Sequence, residues 1–387
     1  MSSIAATPTT GLKVAHVAWL SEVGGGELFL LDLLGHVDAT RFPQAIYCLG
    51  PGGRVPERMA TLGHPVHRFP RTGRLGLGMM LRLAGALRRA RPDVVQTHGE
   101  AGIFWGVPAA RFAGCRAVAA LLYQNHPGAS HKMWALRLGL RSASVVVAGS
   151  ADVQRFLVAE LGVAPARALV IPCAIDAETF LGAARKRTHD AEARRRPVIV
   201  TVGRLVREKG HAVLLRAFAR LRPRCDAELW IVGDGLLRDQ LAGLAEELGI
   251  GEHVRFLGTV CPTVDVLNRA DVFAFPSLVE PQGLAILEAF AAGVPVVASR
   301  TGGIVEMLED GRDGLLVAPG DPEALALALA KLLDDPLLRD DLASGGRRRL
   351  AEFDIHLAAC RYQELWTSLA AGATPGGRAR RPDMIAT

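Results

Sequence analysis

The sequence is poor in the features that define several protein classes. Its six cysteines (Cys48, Cys115, Cys173, Cys225, Cys261 and Cys360) stand far apart and form no C-x-x-C pair. That excludes the common zinc spacings and a small disulfide framework, and predicts buried free thiols in a reducing compartment. Apolar runs are broken by Arg, Gly or Pro before reaching the roughly 20 residues that a membrane-spanning helix needs, so no transmembrane segment is expected. Aromatic residues make up only 5% of the chain and no recognition motif accompanies its basic balance, which argues against nucleic acid as a partner. Residues 1–10, MSSIAATPTT, have neither a basic n-region nor an apolar h-region; the expectation is a cytoplasmic protein without a secretory leader. No G-x-G-x-x-G follows the first predicted strand with an acidic residue about 20 positions on, which removes an NAD-dependent dehydrogenase from the strong readings.

What is present is apolar bulk and an uneven charge. Half of the 387 residues are apolar, and a chain of this length exceeds what one hydrophobic core supports, so two domains are predicted. The formal charge is +6, and residues 1–180 hold 18 Lys and Arg against 11 Asp and Glu. The excess therefore belongs to the N-terminal half. Much of it lies in residues 71–93, a Leu/Met/Arg stretch that suits peripheral contact with an anionic membrane or acceptor and equally suits an ordinary surface helix.

Apolar runs alternate with amphipathic ones almost from end to end, the pattern of parallel strands joined by helices, so the fold class is α/β. Strands are predicted at 13–20, 44–49, 65–69, 93–98, 117–124, 144–150 and 168–173, and again at 197–205, 227–235, 253–258, 272–277, 295–300 and 314–319, with a helix pair over 322–370. Periodicity is lost and charge accumulates over 181–196, which marks a linker. The predicted organisation is a first domain 1–180, the linker 181–196, a second domain 197–350, a C-terminal helix 351–370 returning to the first domain and a disordered tail 371–387. Two doubly wound sheets facing each other bring the carboxyl ends of their strands to one shared cleft, and so anticipate a two-substrate enzyme.

The richest segment for chemistry is 274–299. A strand ends at Phe275-Pro276, a loop carries Glu280, and a helix starts near Gly283 and stops at Gly293. The amides of Gln282, Gly283 and Leu284 at that helix start form a site for an anion or hydroxyl. Glu288 lies about 7.5 Å further along the helix at 1.5 Å per residue, so one carboxylate can address a sugar and the other a ribose. Alone, each Glu reads as an ordinary solvated carboxylate.

In context the stretch Glu280-Pro281-Gln282-Gly283-Leu284-Ala285-Ile286-Leu287-Glu288-Ala289-Phe290-Ala291-Ala292-Gly293-Val294-Pro295 resembles the E-x7-E signature of glycosyltransferase family 4, retaining enzymes of GT-B fold. Gln282 stands where the family usually has an aromatic residue. VGRLVREKG (202–210) resembles the family's V-G-R-L-x-x-x-K-G, in which Arg204 and Lys209 would hold the donor diphosphate. Gly233-Asp234-Gly235 resembles its V-G-D-G-P turn, and reads equally as a plain turn. Gly24-Gly25-Gly26-Glu27 is similar to the G-G-x-E loop, where Gly25 and Gly26 would approach the donor phosphate or the acceptor. His98 resembles the second His of H-x-H-G, and either Tyr123 or His126 takes a further cleft position. Cys173-Ala174-Ile175-Asp176 replaces the common N-G-V-D.

The resemblance implies GT-B architecture with two Rossmann-like domains, a UDP- or GDP-sugar as donor substrate, no cofactor and no metal. It assigns Glu280, His126 and His98 to the chemistry. The implied acceptor is a lipid-linked, polysaccharide or small-molecule hydroxyl. A GT-B epimerase or a non-catalytic sugar-nucleotide-binding protein is the alternative reading.

Overall fold

The computed structural model of the chain describes residues 11–20, 24–70, 76–123, 130–178, 180 and 196–373. All thirteen predicted strands are present, each shorter than its apolar run because the flanking residues turn out of the sheet. They divide into a 7-stranded sheet of order β3-β2-β1-β4-β5-β6-β7 and a 6-stranded sheet of order β10-β9-β8-β11-β12-β13. Every ladder is parallel. Strands covered by helices on both faces need unbroken apolar sequence, which is what VVVA (Val145–Ala148, β6) and VFAF (Val272–Phe275, β11) supply.

The chain forms two compact units, Met1–Pro172 with Ala358–Thr387, and Cys173–Leu357. The first contains β1 (Val14–Ala18), β2 (Gln44–Cys48), β3 (Val66–Arg68), β4 (Val94–His98), β5 (Ala117–Leu122), β6 and β7 (Ala168–Val170). Its core is completed by the far end of the helix Ile355–Ala370, whose Tyr362 and Trp366 are fully buried. Trp366 donates its indole N–H to Gln96 Oε1 at 3.2 Å and stands edge-on to the His16 ring.

The second unit contains β8 (Val198–Val202), β9 (Glu228–Val232), β10 (Val254–Gly258), β11, β12 (Val296–Ser299) and β13 (Leu315–Val317). It opens at Cys173, ahead of the charged stretch predicted as the linker. The reason is local: Ile175 N–H donates to Phe353 O and Ile355 N–H donates to Ile175 O, both at 3.2 Å. Loss of periodicity marks where regular structure stops, whereas these two bonds decide which unit owns the chain. Residues 181–195 and 374–387, which carry the linker and most of the tail, lie outside the described residues.

The predicted helix pair over 322–370 is three helices, Pro322–Asp334, Pro336–Leu350 and Ile355–Ala370. Asp335 caps the second by accepting from Leu338 N–H at 3.0 Å, and Pro336 occupies its first turn. Proline disfavours helical geometry in the residue before it while starting a new helix well, so Asp335-Pro336 is a stop and a restart.

In each sheet the strand order reverses once, between β1 and β4 and between β8 and β11. Loops leaving the carboxyl ends of strands at such a reversal diverge and leave a crevice, the usual ligand position in doubly wound sheets. Where β9 leaves its sheet, Gly233 has φ 130° and a Cβ there would lie 1.9 Å from Gly203 O. Gly243, within the helix Arg238–Glu247, has nothing within 4 Å of a built Cβ. Gly233→Ala should therefore lower unfolding free energy by about 2 kcal/mol or more through backbone strain and clash. Gly243→Ala should raise it by ~0.5–1 kcal/mol. Urea denaturation of the two variants checks both signs.

Candidate functional site

At the β8/β11 reversal, the loop after β8 carries Arg204 and Lys209 and the loop after β11 carries Ser277 and Glu280. The two are stitched main chain to main chain: Leu278 and Val279 both donate their N–H to Glu208 O, at 2.7 and 3.2 Å. Gly210 permits the approach, because at its φ of 67° a Cβ would stand 2.0 Å from Pro276 O. The result brings Lys209 Nζ to 2.5 Å from Glu280 Oε2, an ion pair whose side chains are 20% and 6% exposed. Ser277 donates its hydroxyl to the same carboxylate oxygen at 3.1 Å. Lys209 also lies over the Phe275 ring. Arg204, five residues earlier, is exposed. His211 Nε2 lies 3.1 Å from Arg204 O and, as the donor, anchors that loop from behind.

The helix predicted from Gly283 runs Leu284–Ala292, with Gly283 at its N-cap and Gly293 at its C-cap, both left-handed. No side chain caps its start, which leaves its first amides available to an anion or hydroxyl. Gly303, on the loop after β12, donates to Glu280 O at 2.8 Å and Thr301 Oγ1 donates to Leu278 O at 3.3 Å. These contacts make the turn deeper than the sequence implies: Gln282 and Gly283 are buried and Leu284 is half-buried. Glu288, half-buried on the same helix, accepts from Thr263 Oγ1 at 2.8 Å. Gly233 lies on the neighbouring rim, where Leu205 N–H donates to Asp234 O at 2.9 Å. Arg204, Lys209, Gly233, Glu280, Gln282, Gly283, Leu284 and Glu288 thus all fall on loops and one helix start along the carboxyl edge of one sheet.

In the first unit, the helix Gly25–His36 leaves β1 at the other reversal, with Gly25 and Gly26 as its opening residues and Gly24 at the N-cap. A Cβ on Gly26 would meet the Tyr123 ring at 3.2 Å, so the glycine loop and the end of β5 are in contact. His98, at the end of β4, is 5% exposed and uses both ring nitrogens. A chain runs from the buried Gln44, His16 and His98 to the half-buried Tyr123, with separations of 3.1, 3.0 and 3.2 Å.

Donor and acceptor counting orients that chain. Gln44 donates its amide to Leu34 O, so its oxygen faces His16 and can only accept. His16 therefore carries its proton on Nε2, and its Nδ1 accepts from His98 Nε2–H. His98 Nδ1 must then accept, and the Tyr123 hydroxyl donates to it. Burial keeps both rings neutral: it pushes His16 down to about 3, and burial followed by the His16 neighbour holds His98 well below the usual histidine range. His98 thus engages His16 through Nε2 and Tyr123 through Nδ1. His126 lies outside the described residues.

With this geometry in place, similarity to known proteins becomes specific. Residues 23–179 match the Glycosyltransferase Family 4 family and residues 184–349 match Glycosyl transferases group 1. A GDP-mannose-dependent alpha-(1-6)-phosphatidylinositol monomannoside mannosyltransferase of Mycolicibacterium smegmatis is 34% identical over 330 residues, 75% of this chain and 80% of that protein. The chain belongs to the family 4 glycosyltransferases. The lipopolysaccharide core biosynthesis glycosyltransferase LpsE of Rhizobium meliloti is 42% identical over 173 residues, 44% of this chain and 50% of LpsE. The match thus spans about half the length of that relative. The crystal structure of Anabaena HepE with UDP and glucose superposes with a TM-score of 0.81 over 92% of this chain and 100% of that one, at 23% identity. The fold of this glycosyltransferase is therefore GT-B.

Sequence reasoning did not single out Ser277, Thr263, His16 or Gln44. Thr263 meets Glu288 from 25 residues away and so carries no spacing signal, and Ser277, three residues before Glu280 on the same loop, belongs to no motif. His16 is flagged only by being a polar residue inside an apolar strand run. His16 and His211 are both neutral in the fold, with burial pushing His211 down to about 4. The unfolded imidazoles titrate near 6.5, so as pH falls below that value the unfolded chain takes up protons that the folded chain refuses. Stability should fall from pH 6.5 towards 4, by about 1.4 kcal/mol per pH unit for each such histidine. His211→Gln, which keeps a donor toward Arg204 O, should reduce that slope by one proton in urea titrations between pH 6.5 and 4.5.

Proposed function

We propose that this protein moves a hexose-type sugar from a UDP- or GDP-sugar to an acceptor hydroxyl, with retention of anomeric configuration and without a metal ion. The observation that carries the reading is the Lys209–Glu280 pair at the β8/β11 reversal, beside an uncapped helix start. A leaving diphosphate gains negative charge as the glycosidic bond breaks, and it needs cations that are already in place. Arg204 offers a planar fork of donors, Lys209 a compact ammonium and the Leu284–Ala292 helix its first amides.

In this reading the acceptor oxygen bonds to the anomeric carbon on the face from which the diphosphate departs. The proton of the acceptor hydroxyl passes to the leaving diphosphate oxygen, so no protein nucleophile is required. Glu280 receives the sugar hydroxyls: Lys209 and Ser277 hold one of its oxygens, Oε2, in a fixed direction. Glu288, steadied by Thr263, receives the ribose hydroxyls. Arg204 and Lys209 take the charge that a divalent ion supplies in other transferases. Gly25 and Gly26 form the side-chain-free wall of the first unit's site, and the Tyr123 hydroxyl, held by His98, contributes its oxygen there.

The UDP of the HepE complex and the GDP-mannose in the name of the mycobacterial relative share the nucleoside diphosphate that such a site would grip. The acceptor we propose is a cell-envelope lipid or polysaccharide, in keeping with the phosphatidylinositol monomannoside and the lipopolysaccharide core in the names of those relatives.

A mass-spectrometric screen of sugar nucleotides should find one donor that is slowly hydrolysed to its nucleoside diphosphate. Glu280→Gln should lower kcat with that donor at least ~100-fold, the scale of losing a group that acts in the transition state. Retained turnover in Glu280→Gln would exclude the assignment. Activity lost in chelator and restored by magnesium would overturn the metal-independent part alone.

A further inference from the structure

Three consecutive helical segments of the first unit form one layer over its sheet: Leu77–Ala90, the run from Gly102 through Phe112, and Ser130–Ser142. Their inner faces share a single core, to which Leu83, Ile103, Val107 and Leu136 all belong. They are laterally continuous as well. A Cβ on Gly76 would meet the Trp105 ring at 2.8 Å, and one on Gly139 would meet Ile103 Cγ2 at 3.1 Å.

The outer face of this layer departs from an ordinary solvated surface in two independent ways. Large apolar side chains are concentrated on it: Leu77, Leu81, Phe104, Phe112, Trp134 and Leu138 account for six of the fourteen that are exposed among the described residues. Phe112 is 69% and Trp134 68% exposed. They recur at helical spacing, 77 and 81, 104 and 112, 134 and 138, so each helix turns a stripe outward. The charge on the same segments has one sign. Residues 76–92, 102–116 and 130–144 contain nine Lys and Arg and no Asp or Glu; the one acid on these helices, Glu100 in the first turn of the middle one, is half-buried. Arg88, Arg89, Arg137 and Arg141 are exposed beside the apolar stripes.

We propose that this face is a docking surface for an anionic lipid bilayer. Exposed Trp, Phe and Leu cost free energy in water and gain it at the level of the headgroups and upper acyl chains, while guanidinium groups beside them reach lipid phosphates. A soluble polyanion satisfies the charge but gives the apolar side chains nothing. No helix among the described residues is long and apolar enough to cross a membrane, so the contact is one of lying on the surface. None of the residues that make the face belongs to the sites at either strand-order reversal, and the proposal does not depend on which sugar or acceptor the protein uses.

The test is co-sedimentation of the full chain, without any sugar nucleotide, with phosphatidylcholine vesicles and with vesicles containing about one-third phosphatidylglycerol. Binding should be confined to the anionic vesicles and weaken as salt is raised. Arg88→Glu with Arg89→Glu should lower the partition coefficient at least ~10-fold. Phe112→Ser with Trp134→Ser should lower it at fixed charge, whereas Leu327→Ser with Leu337→Ser, exposed leucines of the second unit, should leave it unchanged. Circular dichroism and urea midpoints confirm that each variant is folded. Equal binding to neutral and anionic vesicles, no vesicle binding, or retention on heparin without vesicle binding would each overturn the proposal.

Discussion

The second unit depends on loops from three neighbouring strands touching through their main chains at the carboxyl edge of the sheet. Glu208 O accepts two amides from the β11 loop, and Gly210 allows that loop to come within reach. Gly203 and Gly233 do the same between the β8 and β9 loops. Once these approaches are set, the positions of Lys209 and Glu280 follow, and with them an ion pair between a half-buried ammonium and a buried carboxylate. Removing one partner of such a pair leaves the other charge in a poorly solvated place, typically at a cost of several kcal/mol. The arrangement is stable when complete and costly when halved, which is a reason for a binding site to keep it rigid.

The first unit uses a different device. Its polar chain from Gln44 to Tyr123 is neutral and mostly buried, and each donor has one acceptor. Neutral rings avoid the desolvation of charge, and the one-directional order of protons fixes the orientation of the Tyr123 hydroxyl. Trp366, arriving from the far end of the chain, closes this network by packing edge-on to His16. A helix some 270 residues away in sequence thereby becomes part of the wall behind the site.

Much of the fold was legible because a strand buried on both faces has a strong and local signature. All thirteen strands appear where apolar β-branched runs predict them, and the helix Leu284–Ala292 begins and ends at the glycines that flank it. Glu280, Glu288, Arg204 and Lys209 keep a recognisable spacing in the sequence, and the fold gathers them along one edge of the second sheet. The division into units at Cys173 was not legible. It rests on hydrogen bonds between Ile175 and residues near 354, and nothing in either segment announces its partner. The third C-terminal helix was missed for a milder reason, because an apolar periodicity that continues through Asp335-Pro336 hides the break.

By itself, the order of residues determined the α/β class, the number of strands, the helix start at Gly283 and the identity of the charged groups around it. Those are local properties, set by side-chain period, by φ preference and by the spacing of carboxylates on one helix. Only the tertiary structure decided that Lys209 is held by Glu280, that Glu288 is steadied by Thr263 and that His98 is turned toward Tyr123. It also decided that three arginine-bearing helices share one layer and one outward face. These outcomes depend on which loops and helices become neighbours, and neighbourhood is settled by the packing of the whole unit, a quantity that no short stretch of chain contains.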